Sequence, residues 1–258
     1  MGRIATIALG AFKESVRERV LYNLILFAFL MIGAAILMGS ISVGVEQLIL
    51  VNLGLSAISV FGLLIAIFIG IGLVSTEIER RTIYNILSKP VSRAEFILGK
   101  YAGLLLTLFV NTAIMTAGFY MAMAIQKGGL GLEDLSPLIA VYFILLELAI
   151  VVGIAIFFSC ISTSILSAVF TFCLFVIGNF SGDIRWFGEE SGSPILQKVT
   201  SALYYVLPNF SNFNVIDQVA HGAKIPGFLI TANTCYAVLY IAVLLSAAVL
   251  IFEEREFR

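Results

Sequence analysis

Charged residues divide the chain into long apolar stretches. None lies between Arg19 and Glu46, between Glu46 and Glu77, or between Lys100 and Lys127. Each gap exceeds the roughly 20 apolar residues that carry a helix across a ~30 Å hydrocarbon core. From Leu135 to Gly182 the one charge is Glu147, and the small polar run Ser159-Cys160-Ile161-Ser162-Thr163-Ser164 sits midway. That stretch holds two spans with a tight turn between them. A last apolar run covers Phe228 to Phe252. The pattern predicts six membrane helices, over about 21–40, 50–74, 101–125, 138–158, 163–180 and 228–252. Helices are expected because a lipid-exposed backbone must satisfy its own N–H and C=O groups. The short alternating segments of a membrane barrel are absent. The expected fold class is therefore all-α: one polytopic transmembrane domain over residues 1–258, without internal repeats.

Composition agrees and narrows the function. Sixty per cent of the residues are hydrophobic and 12% are charged, with mean hydropathy +1.07. A soluble domain is about a quarter charged. This balance excludes a water-soluble enzyme, a disordered chain and a nucleic-acid binder. A net charge of −1 gives no hint of a polyanionic partner. Cys160, Cys173 and Cys235 are too few and too scattered for a disulfide or zinc framework, and no C-x-x-C occurs. The one histidine, His221, excludes sites that need two. No metal site is expected.

Six spans put both termini on one face. Eleven of the 15 basic residues fall on that face: Arg3, Lys13, Arg17, Arg19, Arg80, Arg81, Lys89, Arg93, Lys100, Arg255 and Arg258. The other face holds Lys127, Arg185, Lys198 and Lys224. Positive residues favour the cytoplasm, so both termini are expected there, in a cytoplasmic (inner) membrane. The first apolar run is longer than a signal-peptide core, and Glu14 and Glu18 precede it, so it reads as a retained span.

Three parts are not spans. Over residues 1–20, Ile4, Ile7, Ala8, Ala11, Phe12, Val16 and Val20 recur at helical spacing, opposite Arg3, Lys13, Glu14, Arg17 and Glu18. This predicts an amphipathic helix lying in the interface; a simple charged flank is the alternative. The cytoplasmic loop, 76–98, carries two capping-box patterns, Thr76 with Glu79 and Ser92 with Glu95. Pro90 biases Lys89 away from helix. A short helix over about 77–88 is expected, then a turn, then the helix that becomes the third span. Ile83, Ile86 and Leu87 give the short helix an apolar stripe that must pack on something. The outer loop, 181–227, holds Trp186, Tyr204, Tyr205, Phe210 and Phe213. Its stretch 194–207 reads either as a helix on or dipping into the outer surface, or as a solvated loop with aromatic anchors.

Segment 75–100 resembles the first cytoplasmic loop of ABC-2 type transporter permeases. The residues that carry the likeness are Glu77 or Glu79, Thr82, Leu87, Ser88, Pro90, Val91, Ser92, Arg93, Phe96, Gly99 and Lys100. The N-terminal helix, the six-span order, Leu207-Pro208-Asn209-Phe210 and the charged end Phe252-Glu253-Glu254-Arg255-Glu256-Phe257 extend it over most of the chain. The resemblance implies a membrane-spanning permease subunit moving an unspecified substrate, by export. The 77–88 helix would be a coupling helix gripped by a separate ABC ATPase subunit, through Glu79, Arg80, Arg81, Thr82, Ile83, Tyr84, Ile86, Leu87 and Pro90. A second permease copy or paralogue would complete the transporter, with ATP and Mg held by the ATPase. The residues themselves agree on one point. No Gly-x-x-x-x-Gly-Lys-Ser/Thr occurs, and Gly99-Lys100 is followed by Tyr101. ATP hydrolysis therefore belongs to another polypeptide, and this chain is not expected to be an enzyme or to bind a cofactor.

Inside the membrane, Glu147 is the one acid predicted within a span. A comparable Asp costs about 2.5–3.5 kcal/mol on insertion scales. It reads either as a contact on the transport path or a proton-linked switch, or as a structural hydrogen bond. Asn111 and Asn179 are the polar residues placed to meet it. Gly62, Ala66 and Gly70, and Gly99-x-x-x-Gly103, are small-residue faces for close helix approach, within one subunit or at a dimer seam. Two other classes fit less well. A membrane-embedded enzyme would need clustered Asp, His or Lys in the spans. An ATP-independent channel or secondary carrier would show ionisable residues in matched halves.

Overall fold

The computed structural model describes residues 2–41, 44–79, 92–129 and 131–254. Among these, ten α-helices and two 3₁₀ turns make up the chain, with no strand. They are α1 Arg3–Val16, α2 Arg19–Ile41, α3 Glu46–Glu79, α4 Arg93–Lys127, α5 Ser136–Ile161, α6 Ser164–Asn179, α7 Ser181–Glu190, α8 Pro194–Val206, α9 Ile216–Ala220 and α10 Gly227–Glu254. Five of them, α2, α3, α4, α5 and α10, are long and apolar enough to cross a membrane.

The fifth expected span, 163–180, is a single helix, α6, but a short one. At 1.5 Å per residue, the 16 residues of α6 reach about 24 Å, short of a ~30 Å core. The chain then bends by 55° into α7. The pair counts as a sixth span only if both pieces are taken together. Beyond it, the expected outer loop is largely helical, as α7, α8 and α9. The tight turn between α5 and α6 falls at Ser162–Thr163.

Two helices form the centre. About 72% of the apolar stretch of α5 and 67% of that of α3 are buried, against 22% for α2 and for α10 at the periphery. Close backbone approach makes this centre, because lipid tails supply no hydrophobic drive between helices and contact area must. A Cβ on Gly62 would stand 2.7 Å from Leu148 of α5, and one on Gly70 would stand 3.3 Å from Ala155. The Gly62–Ala66–Gly70 face therefore serves packing inside this chain.

The second small-residue face seats a different helix than its place in a span suggests. A Cβ on Gly103 would stand 2.5 Å from the Ala8 carbonyl oxygen, and one on Gly99 would stand 2.7 Å from Ile7. Helix α1 lies across the start of α4, with Ala11 and Ser15 buried beneath it. Lys100 reaches Glu14 at 3.4 Å, and Arg3 reaches Glu95 at 3.8 Å. The amphipathic pattern of α1 is thus spent on α4 as well as on its surroundings.

The two capping boxes of the 76–98 loop part ways. Ser92 Oγ accepts from the Glu95 N–H at 3.2 Å, and the Ser92 N–H donates to Glu95 Oε2 at 2.9 Å, so α4 starts where expected. At Thr76 no helix begins: α3 runs unbroken from Glu46 to Glu79. Arg80, Arg81, Thr82, Ile83, Tyr84, Ile86, Leu87 and Pro90 lie outside the described residues, and with them the body of the expected 77–88 helix.

At the opposite end, α4 closes on Gly128, whose φ of 72° suits a glycine. The Lys127 ammonium pairs with the buried Asp134 carboxylate, which also accepts the Gly131 N–H at 2.8 Å. These bonds hold the Asp134 carboxyl below its ordinary value. A depressed carboxylate contributes its full stability above the ordinary value near 3.8 and loses it as pH falls through its lower folded value.

Two predictions follow from this packing. Gly103→Leu should cost about 1–3 kcal/mol by displacing α1 from α4. Gly33→Ala, where a Cβ meets nothing within 4 Å, should leave the unfolding temperature in detergent unchanged or raised. For the 128–135 connection, hydrogen exchange at Gly131 should accelerate only under strong acid, and Asp134→Asn should give the accelerated rate already at neutral pH.

Candidate translocation site

Glu147 sits near the middle of α5, 6% exposed. It is 11 residues from Ser136 and 14 from Ile161, or about 16 and 21 Å along the helix axis. Asn179 is the last residue of α6, 15 residues or about 22 Å from Ser164. The two helices run antiparallel from a two-residue turn, so Glu147 and Asn179 come level. The Asn179 side-chain amide meets the Glu147 carboxyl. It also donates to the Phe175 carbonyl at 3.1 Å, one turn back on α6.

Both residues line a cavity of about 100 Å³, with Ser59 of α3, Ile144, Phe175, Phe213, Asn214 and Ile216. Four of the eight carry polar side chains, and Glu147 is the one acid among them. Asn111 is not among them. It is buried on α4, where its Nδ2 donates to the Thr107 carbonyl at 2.8 Å. Of the three polar residues read from the sequence, the fold brings together Glu147 and Asn179 and leaves Asn111 apart.

The roof of the cavity is segment 207–220, which folds back between the helices. Phe210 and Phe213 are 0% and 1% exposed, and Asn209, Val215 and Val219 are buried with them. Most of this segment is not α-helical, so its backbone needs partners from elsewhere. The Phe210 N–H donates to the Gly178 carbonyl at 3.1 Å. The Asn209 N–H donates to the Tyr236 hydroxyl at 3.0 Å, and Asn233 Nδ2 donates to the Asn212 carbonyl at 2.9 Å. Gly178 has no room for a side chain, since a Cβ there would stand 2.4 Å from the Pro208 carbonyl oxygen. Phe213 then meets Phe143 of α5 edge-on, with centroids 6.4 Å apart. The segment therefore reaches the depth of residues 143–147.

Sequence reasoning missed Ser59, Asn214, Tyr236 and Asn233. One available signal would have paired Glu147 with Asn179: both stand 16 residues from Thr163, at the turn. The others come from elements distant in sequence, and no spacing announces them.

Above α7 and α8 the character changes. Gly188 lies so close to Thr200 that a Cβ would overlap its hydroxyl, which locks the two helices as a hairpin. Trp186, Phe187, Ile195, Tyr205 and Val206 project outward from it. His221 is exposed beside Asp217 at 3.3 Å. Among the described residues no three of His, Cys, Asp and Glu gather as a metal site would require. The arrangement can hold a hydrogen-bonding group at mid-bundle.

Glu147→Gln keeps hydrogen-bonding capacity and should change stability by under about 1 kcal/mol. Asn179→Leu strands the carboxyl and should cost about 1–3 kcal/mol. The double variant Glu147→Leu/Asn179→Leu should recover part of that loss, as read by thermal unfolding in detergent.

No curated protein matches the chain. Residues 5–257 match the sequence profile of the ABC-2 family transporter proteins, and the chain belongs to that family.

Proposed function

We propose that this membrane permease works as the transmembrane subunit of an ABC transporter, exporting its substrate with energy from a separate ATPase subunit. One observation carries the reading: a polytopic chain of the ABC-2 family contains no P-loop of its own. A phosphate-cradling loop needs Gly-x-x-x-x-Gly-Lys-Ser/Thr to wrap backbone N–H groups around the nucleotide. The motor must then lie in a partner that holds ATP and Mg.

The contact for that partner is Glu79, at the end of α3, with Arg80, Arg81, Thr82, Ile83, Tyr84, Ile86, Leu87 and Pro90 of the segment that follows, and it acts as a coupling helix. Its basic residues put it, with both termini, on the cytoplasmic face of the inner membrane. Two permease chains, identical or paralogous, pair with two ATPase subunits. The substrate passes beside Glu147 and Asn179, and segment 207–220 closes that path on the outer side. ATP-driven closure of the motor displaces the coupling helix and tilts the spans attached to it.

Affinity purification in mild detergent tests the reading. The wild-type chain should bring down a P-loop ATPase, and Ile83→Asp/Leu87→Asp should lose it while remaining folded. Solute movement by the purified chain alone in vesicles would instead establish an ATP-independent carrier. Glu147→Gln should assemble normally and transport more slowly; full transport by this variant would remove Glu147 from the path.

A further inference from the structure

Arg93, the first residue of α4, is separated from the 80–91 segment by Ser92 alone. Its Nη1 donates to the carbonyls of Phe252 at 2.7 Å and Glu253 at 2.6 Å, in the last turn of α10. The guanidinium also lies over the Phe252 ring, 5.9 Å from the centroid. That ring stacks in turn on Phe96 of α4, with centroids 5.9 Å apart and planes within 14°. Both rings are buried. The next turns of α4 carry the glycine seat of α1 and the Lys100–Glu14 pair. The start of α4 thus holds α10 at its first turn and α1 just beyond.

This attachment of α10 is a local one. Further along, an open apolar groove of about 840 Å³ separates Leu98, Tyr101 and Leu105 of α4 from Ile241, Leu245 and Val249 of α10. Through its length α10 packs chiefly on α5, and only secondarily on α4. A displacement of the start of α4 would leave α10 behind with α5 unless something joined the two ends.

We infer that Arg93 is a positioning residue that fastens the end of α10 to the start of α4, so that α1, the start of α4 and the end of α10 move as one body. Movement of the 80–91 segment then reaches the N-terminal helix and the last span together. The inference rests on the reading of that segment as the ATPase contact.

The test uses the full chain with the ATPase subunit recovered in the purification above. Cys160, Cys173 and Cys235 are replaced by Ala, and spin labels are placed at Leu9→Cys on α1 and Leu250→Cys on α10. The label distance is read with and without MgATP and vanadate. With Arg93 present, one narrow distance should persist in both states. Arg93→Gln should broaden it and make it respond to nucleotide, and Arg93→Lys, which restores a donor cation, should narrow it again. Stimulation of ATP hydrolysis by the permease should fall about tenfold in Arg93→Gln, the size of an ordinary coupling term, with the ATPase subunit still bound. Phe96→Leu keeps the guanidinium bonds and should broaden the distance less, which covers the case in which Arg93→Gln does not fold. A distance in Arg93→Gln as narrow as wild type in both states overturns the clamp. Failure of the wild-type chain to bind any ATPase overturns the coupling reading instead, and the nucleotide-free distances still judge the clamp.

Discussion

Every peptide group that enters hydrocarbon must find its hydrogen-bond partner within the protein, and the architecture follows from that requirement. Five long central and peripheral helices meet it alone, through their own ladders. The place where the chain departs from straight helices is therefore the place where side chains must intervene. Segment 207–220 is that place. Its backbone takes partners from Gly178 on α6 and from Tyr236 and Asn233 on α10. These contacts also fix where the last span stands, because α10 must present both side chains to the segment. The ends of helices raise the same demand on a smaller scale. Ser92 and Glu95 answer it at the start of α4.

Helix spacing is set by absent side chains. Gly62 and Gly70 let α3 lie against α5, Gly54 admits the Phe119 ring of α4, and Gly103 lets the backbone of α1 touch α4. Contact between apolar helices in lipid is stabilised by packing alone, so the closest pairs form the centre. This explains why α3 and α5 are buried while α2 and α10 keep most of their surface exposed. It also separates two kinds of apolar surface. The buried faces are tied to glycines at fixed positions, whereas the outer faces of α2 and α10 are broad and unspecific.

Much of this was legible because the membrane simplifies the code. Gaps between charges located the spans, and small polar residues located the turn after Ile161. The Ser92–Glu95 capping box located the start of α4. What failed did so for physical reasons. Thr76 and Glu79 have the spacing of a helix start, but an established helix propagates through such residues more easily than it stops, and α3 continues to Glu79. Hydropathy marks residues 163–180 as a span and α6 fills them, but it has no signature for the bend between Asn179 and Ser181 that follows. Gly99 and Gly103 were recognised as a close-approach face, but a stripe of small residues does not say which helix it receives. The polar lining of the cavity was half visible. Glu147 stands out as a charge among apolar neighbours, whereas Ser59 and Asn214 look ordinary until the fold assembles them.

The bend after α6 and the buried carboxyl belong to one design. Had α6 continued straight beyond Asn179, its next turn would occupy the space into which segment 207–220 descends. Asn214 and Phe213 would then have no access to the depth of Glu147, and the carboxyl would lose part of the polar company that offsets a cost of a few kcal/mol. Ending α6 at Asn179 leaves an amide at its last position, level with Glu147, and frees the Gly178 carbonyl to receive the Phe210 N–H. The same two residues thus end a helix, anchor the returning chain and give the acid its polar company. A polar cavity at mid-bundle, roofed by a segment that is held by a few hydrogen bonds rather than a continuous ladder, is an arrangement that can open without unfolding a span.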